Sequence, residues 1–167
     1  MGGAEVIKNI KDDEGWFQLK TISSSRMKNM AKAYGWWIAK DCCTITILKV
    51  ALRLVVVSGA FTKHIQPVDF TVLKPQAQKF LRELFVQIFV ASQASSPILA
   101  EDANEQASRN RGAVEDIFIK ATRIENLGLG LVFFLSNAFK GGEGLVKWAC
   151  TVAKETLQTR MNELPRL

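Results

Sequence analysis

Three cysteines, one histidine and two glycine-rich stretches are the parts of this chain whose residue types could do chemistry. Cys42 and Cys43 are adjacent and Cys150 stands alone, which makes neither a CxxC pair nor an even disulfide framework. His64 is the single histidine and cannot complete the usual zinc sets. The expectation is thiols kept reduced in a cytosolic or nuclear compartment. Adjacent side chains cannot both point to one side of a regular element, and burial is the default for this cysteine pair. No Ser, Cys or carboxylate pattern pairs with His64, so it has no catalytic role to play. Asp69, before Phe70, reads as a cap or turn residue. Gly128-Leu129-Gly130 is a GxG inside an apolar helix, without a preceding strand or a third glycine. It calls for close helix packing rather than a phosphate cradle. Gly141-Gly142-Glu143-Gly144 precedes a helix N-terminus, where an anion could sit, but no lysine–serine continuation follows and the stretch reads as a turn. No catalytic, cofactor or metal residues are therefore nominated, no small-molecule substrate is expected, and an enzyme reading has no residues to stand on.

Charge is the remaining source of function. The chain carries a formal charge of +6 and has a pI near 9.4, which favours an anionic partner such as RNA or an acidic protein surface. Arg26, Lys28, Lys32 and Lys40 could line one side of a helix, and Arg109 and Arg111 lie near the mouth of a long polar loop. The plain reading of both groups is a solvated surface; the functional one is a docking strip for RNA phosphate or an acidic helicase surface. Trp36 and Trp37 are expected to pack in the core, although a half-exposed tryptophan would make a partner anchor. The candidate partner-binding residues are those left over after packing: Arg26, Lys28, Lys32, Trp36, Arg109 and Arg111.

The elements that would position them are helices. Hydrophobic content of 48% and charged content of 23% over 167 residues fit one globular domain with its own core. Leu73 to Val90 is the central stretch. Pro75 suits the first position of a helix, and Phe80, Leu81, Leu84, Phe85, Ile88 and Phe89 make one broad apolar face. Ser23-Ser24-Ser25 offers N-caps for a helix to about Lys40, with Met27, Met30, Ala31, Tyr34, Trp37 and Ile38 as its apolar stripe. Gly35 costs that helix about 1 kcal/mol against Ala, and its use is the close approach of a neighbouring helix. Thr44 to Val57 is β-branched and could be a strand by propensity. With no second convincing strand, a short helix over Thr44–Lys49 and then an apolar insertion fit better. Three further helices are expected at about Ala113–Ile124, Glu125–Phe139 and Leu145–Leu164, ended by Pro165. Short turns between them predict antiparallel helical hairpins in an all-α bundle or a repeat-like stack.

Residues 1–22 read as a partly ordered lead-in whose Trp16, Phe17 and Leu19 dock on the domain, and 23–164 as the single helical domain. Within it lie an insertion at 50–66 and a long solvated loop at 93–112. The N-terminus turns acidic at Asp12, Asp13 and Glu14 before any apolar run, so no secretory signal is expected. Cys42 to Phe61 comes closest to a membrane span. Lys49 and Arg53 near its middle, at about 2.5–3.5 kcal/mol each on insertion scales, argue against one.

These residues resemble a known family. RMKNMAKAYGWWIAKDCCTITILK resembles the second helical hairpin of an MA-3 domain, where a helix of the form NLAKxYAxLIA precedes LxxxILK. PVDFTVLKPQAQKFLRELFVQIF is similar to the VxDFxxL link and the long amphipathic helix after it. AVEDIFIKA through LGLGLVFFLSNAF resembles the end of the nucleolar proteins that join a MIF-4G domain to an MA-3 domain. The resemblance covers most of residues 16–140 and consists of packing patterns. In the family, ILK runs almost directly into the VxDF link, so Val50 to Gln66 stands as an insertion; a MIF-4G domain is lacking. The resemblance implies a HEAT-like stack of antiparallel helix pairs acting as a non-enzymatic protein-interaction module. It implies a nucleolar or nuclear setting, in maturation of small-subunit ribosomal RNA. The partner would be a DEAD-box helicase related to initiation factor 4A or a pre-ribosomal particle. An RNA-binding helical domain using its basic strip is the alternative, and a small membrane-associated protein is the third.

Overall fold

The computed structural model describes residues 23–49, 70, 73–94 and 109–163. The fold is all-α: five α-helices and two short 3-10 turns, with no strand among the described residues. Helix α1 spans Ser24–Ala39, α2 Pro75–Gln93, α3 Arg111–Ile119, α4 Glu125–Ala138 and α5 Gly144–Glu163. The 3-10 turns are Ile45–Ile47 and Lys120–Arg123. The proposed lead-in, the insertion at 50–66, most of the loop at 93–112, His64, Asp69 and the stop at Pro165 lie outside the described residues.

Local chemistry sets the helix ends. The Ser23 hydroxyl accepts from the Arg26 N–H and caps α1. Pro75 opens α2 at its first turn, where no intrahelical donor is lost. Asn110 caps α3, its side-chain oxygen accepting from the Ala113 N–H at 3.0 Å. Helix α1 closes with Asp41 at φ 59°, Cys42 N–H donating to the Trp37 carbonyl and Asp41 N–H to that of Ile38. That is a Schellman-type C-terminus with an aspartate where glycine is usual. Gly144, at φ +57°, starts α5 in the left-handed region that favours glycine.

Packing fixes the relative directions. Lys28 pairs with Glu83, Gly35 abuts Leu84 and Gln87, and the Lys40 ammonium donates to the Ala94 carbonyl at 2.9 Å. Positions rise together on both helices, so α1 and α2 lie parallel. Gln93 meets Asn110 while Phe85 and Phe89 meet Phe118, which sets α3 antiparallel to α2. Phe85 against Phe134 and Phe89 against Phe139 set α4 parallel to α2. The Cys150–Leu135 and Gly128–Met161 contacts set α5 antiparallel to α4. Thus α1, α2 and α4 run one way and α3 and α5 the other. The antiparallel return after α1 is reduced, within the described residues, to the turn at Ile45–Ile47, its Ile45 and Leu48 buried.

Phenylalanine fills the centre. Phe85, Phe89, Phe118, Phe134 and Phe139 are buried with ring centroids 5.8–6.3 Å apart, and Phe70 adds a ring 6.4 Å from Phe134. Each such side chain gains about 1.5–3 kcal/mol on burial. The core face expected of α2 is present, with Phe80 only half-buried and Ala77 and Ala91 added to it. The glycines serve close approach. A Cβ at Gly35 would lie 2.7 Å from the Leu84 carbonyl oxygen, one at Gly128 would lie 2.8 Å from the Met161 sulfur, and one at Gly130 would overlap the Phe70 ring.

Two expectations are corrected. Trp36 and Trp37 are 46% and 44% exposed and Met30 38%, so the apolar stripe of α1 narrows to Ala31, Gly35 and Ile38. The crossing at Gly35 brings α2 so close that only these residues fit between the helices, and the larger side chains are left outside. Cys42 is exposed and Cys43 half-buried, because the Schellman turn swings both clear of the helix; only Cys150 is buried.

Candidate functional site

The outer face of α1 is the most distinctive surface among the described residues. Its sequence holds three cations and no acid. At about 100° per residue, Asn29 and Ala33 lie on the side opposite Ala31 and Ile38. Arg26, Met30 and Trp37 fall on one flank and Lys32 and Trp36 on the other. All of these except the two core residues are exposed. Ala33 is therefore a low point between larger side chains. Tyr34 holds Trp37 from the inner side, edge to face, with centroids 5.3 Å apart. That contact fixes the indole before any partner arrives.

The six nominated residues divide between two places. Arg26, Lys28, Lys32 and Trp36 share α1. Arg109 and Arg111 turn instead to α5: Arg109 lies 5.6 Å over the Trp148 ring, and Arg111 pairs with Glu115 at 2.7 Å and Glu155 at 3.0 Å. Donating hydrogen bonds to those two carboxylates raises the Arg111 pKa above its ordinary value, so its charge is already answered within the fold. Lys28 reaches Glu83 at 3.9 Å, and Lys40, also considered for the basic strip, is tied to the Ala94 carbonyl. Of the cations weighed for a docking strip, Arg26 and Lys32 are the two whose side chains make no ion pair, hydrogen bond or cation–π contact among the described residues.

Further exposed apolar side chains were not nominated from the sequence. Met30, Ala33 and Trp37 belong to the α1 face. On α4, Leu129 and Phe133 are 55% and 45% exposed one turn apart. The clue to the α1 residues was in the sequence: Gly35 announces a tight crossing, and a tight crossing leaves fewer inward places for bulky neighbours.

Elsewhere the chemistry is quiet. Burial raises the Cys150 thiol pKa; burial, then Cys42 and Asp41, raise that of Cys43. Both are held as thiols rather than reactive thiolates. Among the described residues no three His, Cys, Asp or Glu side chains gather as a metal site, and no helix is long and apolar enough to cross a membrane. Comparison with protein-family models, with curated proteins and with solved structures gave no match.

Proposed function

We propose that this chain is a non-enzymatic helical interaction domain that binds another protein through the outer face of α1. The observation that carries the reading is the pair of half-exposed tryptophans beside Met30 and two cations that have no ion pair among the described residues. Large aromatic side chains left at the surface, one of them pre-set by Tyr34, suit a protein interface, where Trp, Met and Arg concentrate. The setting is the one implied by the MA-3 resemblance: a HEAT-like stack working in small-subunit rRNA maturation in the nucleolus, with a DEAD-box helicase or a pre-ribosomal protein as partner. The alternating directions of α2, α3, α4 and α5 are compatible with such a stack. A direct RNA reading has less support, because Lys28, Lys40, Arg109 and Arg111 are engaged within the fold and a phosphate strip needs several free cations.

A photo-crosslinking residue at Ala33, with one at exposed Gln158 on α5 as control, tests the reading in cells. The expected result is a discrete protein adduct from position 33 and none from 158. RNA adducts alone, or equal labelling at both sites, would remove the proposal. A helicase or pre-ribosomal protein among the adducts supports the nucleolar setting; their absence, with other proteins captured, removes the setting alone.

A further inference from the structure

Resting on that reading, we infer that the partner presents an acidic amphipathic helix, laid along the outer face of α1. Three observations converge on this occupant. The face is a single helix surface of 16 residues, about 24 Å long, which matches a helical ligand of four to five turns. Its apolar part is a narrow strip with a low floor: Ala33 lies between Met30 on one side and Trp36 and Trp37 one turn on. Aliphatic side chains recurring every three or four residues on an incoming helix would seat there. Its charge is of one sign. Arg26 stands at the N-terminal end of the strip, in line with Ala33 and Trp37, and Lys32 stands to one side of it, about 9 Å further along the axis; α1 contributes no carboxylate to answer them. An incoming helix with Leu on one face and Glu beside that face satisfies both requirements at once.

RNA would use the same face differently, stacking bases on Trp36 and Trp37 with phosphates on Arg26 and Lys32. On this face only two cations lack a partner among the described residues, which limits that mode to a shallow salt dependence and leaves Met30 and Ala33 without a matching surface. The apolar floor is what favours the peptide.

The full chain is titrated with a fluorescein-labelled 18-residue Leu/Glu amphipathic peptide, its Glu→Gln counterpart, its Glu→Lys counterpart and a 12-nucleotide oligouridylate. The acidic peptide is expected to bind at least tenfold more tightly than either counterpart. Ala33→Glu and the pair Arg26→Glu/Lys32→Glu are expected to weaken it at least tenfold. All three positions are exposed and compatible with a helix, so far-UV circular dichroism and Tm should stay at wild-type values and report that the fold is intact. Equal binding of all peptides, or binding of the acidic peptide that survives both variants, overturns the inference. Oligouridylate binding through the same residues, with the acidic peptide inert, overturns it in favour of RNA. Protein adducts at position 33 together with an inert acidic peptide would sink this inference while sparing the interaction-domain reading.

Discussion

Gly35→Ala isolates the contact on which the α1–α2 pairing depends. The added Cβ would meet the Leu84 carbonyl oxygen at 2.7 Å, Gln87 Cβ at 2.8 Å and Gln87 Cγ at 3.1 Å. A glutamine tip could swing aside, but a helix carbonyl and a Cβ cannot, so the helices must separate or tilt by roughly half an ångström or more. A gap of about 0.5–1 Å already forfeits a quarter to a half of the dispersion well for the atoms that face it. Overpacking of this kind costs about 1–3 kcal/mol, against which Ala regains at most about 1 kcal/mol of helix propensity. A net loss of about 1–2 kcal/mol is expected. Gly112→Ala is the matched control, because its Cβ would meet only the Asn110 side-chain oxygen, at an ordinary 3.5 Å. That variant should gain about 0.5–1 kcal/mol from the same propensity difference. Urea unfolding followed at 222 nm reads both; with a slope of about 2 kcal/mol/M, the two midpoints should stand about 1 M apart. If Gly35→Ala unfolds at or above the wild-type midpoint, the crossing is looser than described and the explanation for the displaced tryptophans goes with it.

Maleimide labelling followed by mass spectrometry should modify Cys42 first, Cys43 more slowly and Cys150 only on unfolding, in the order of their exposure. Because folding raises the pKa of Cys43 and Cys150, the folded state holds those protons more tightly; stability should be constant below the unfolded thiol pKa of about 8.5 and fall as pH rises through it, with Cys150→Ser flattening that decline in urea titrations at pH 7 to 10. Asp41 combines a left-handed backbone with an ion pair to Lys120. Asp41→Gly, which trades the pair for relief of the strain, should therefore stay within about 0.5 kcal/mol of wild type, while Asp41→Ala, which keeps the strain and loses the pair, should cost about 0.2–1 kcal/mol in thermal unfolding. Gln93→Ala removes two hydrogen bonds to the Asn110 backbone, at 2.7 and 3.1 Å, and should cost about 1–2 kcal/mol by urea denaturation.

The helices were legible because their signals are local. Pro75, the serine run before α1 and the Phe/Leu periodicity of α2 act within one or two turns, and all three were realised. The glycines of α1 and α4 were legible as packing devices because a missing side chain in an apolar helix has few other uses. What escaped was non-local. Arg111 pairs with Glu155, 44 residues away, and Arg109 stacks on Trp148 across to α5, so neither could be separated from a free surface cation by inspection. Trp37 was assigned inward by period alone; how many helices cover a helix is a tertiary property. Asp41 in a glycine position gave no signal, since aspartate is ordinary in turns.

The side chain of Gln93 joins the exit of α2 to the entrance of α3 by accepting from the Asn110 N–H and donating to its carbonyl, a two-point latch across 17 positions of sequence. With the two ends fastened to each other, the helices on either side are indifferent to how much polypeptide is looped between them. Doubling the length of a flexible connection costs only about 0.6 kcal/mol of closure entropy. This stretch is accordingly the natural place for the protein to accept inserted sequence, and the place to graft a reporter without disturbing either α1 or the phenylalanine centre.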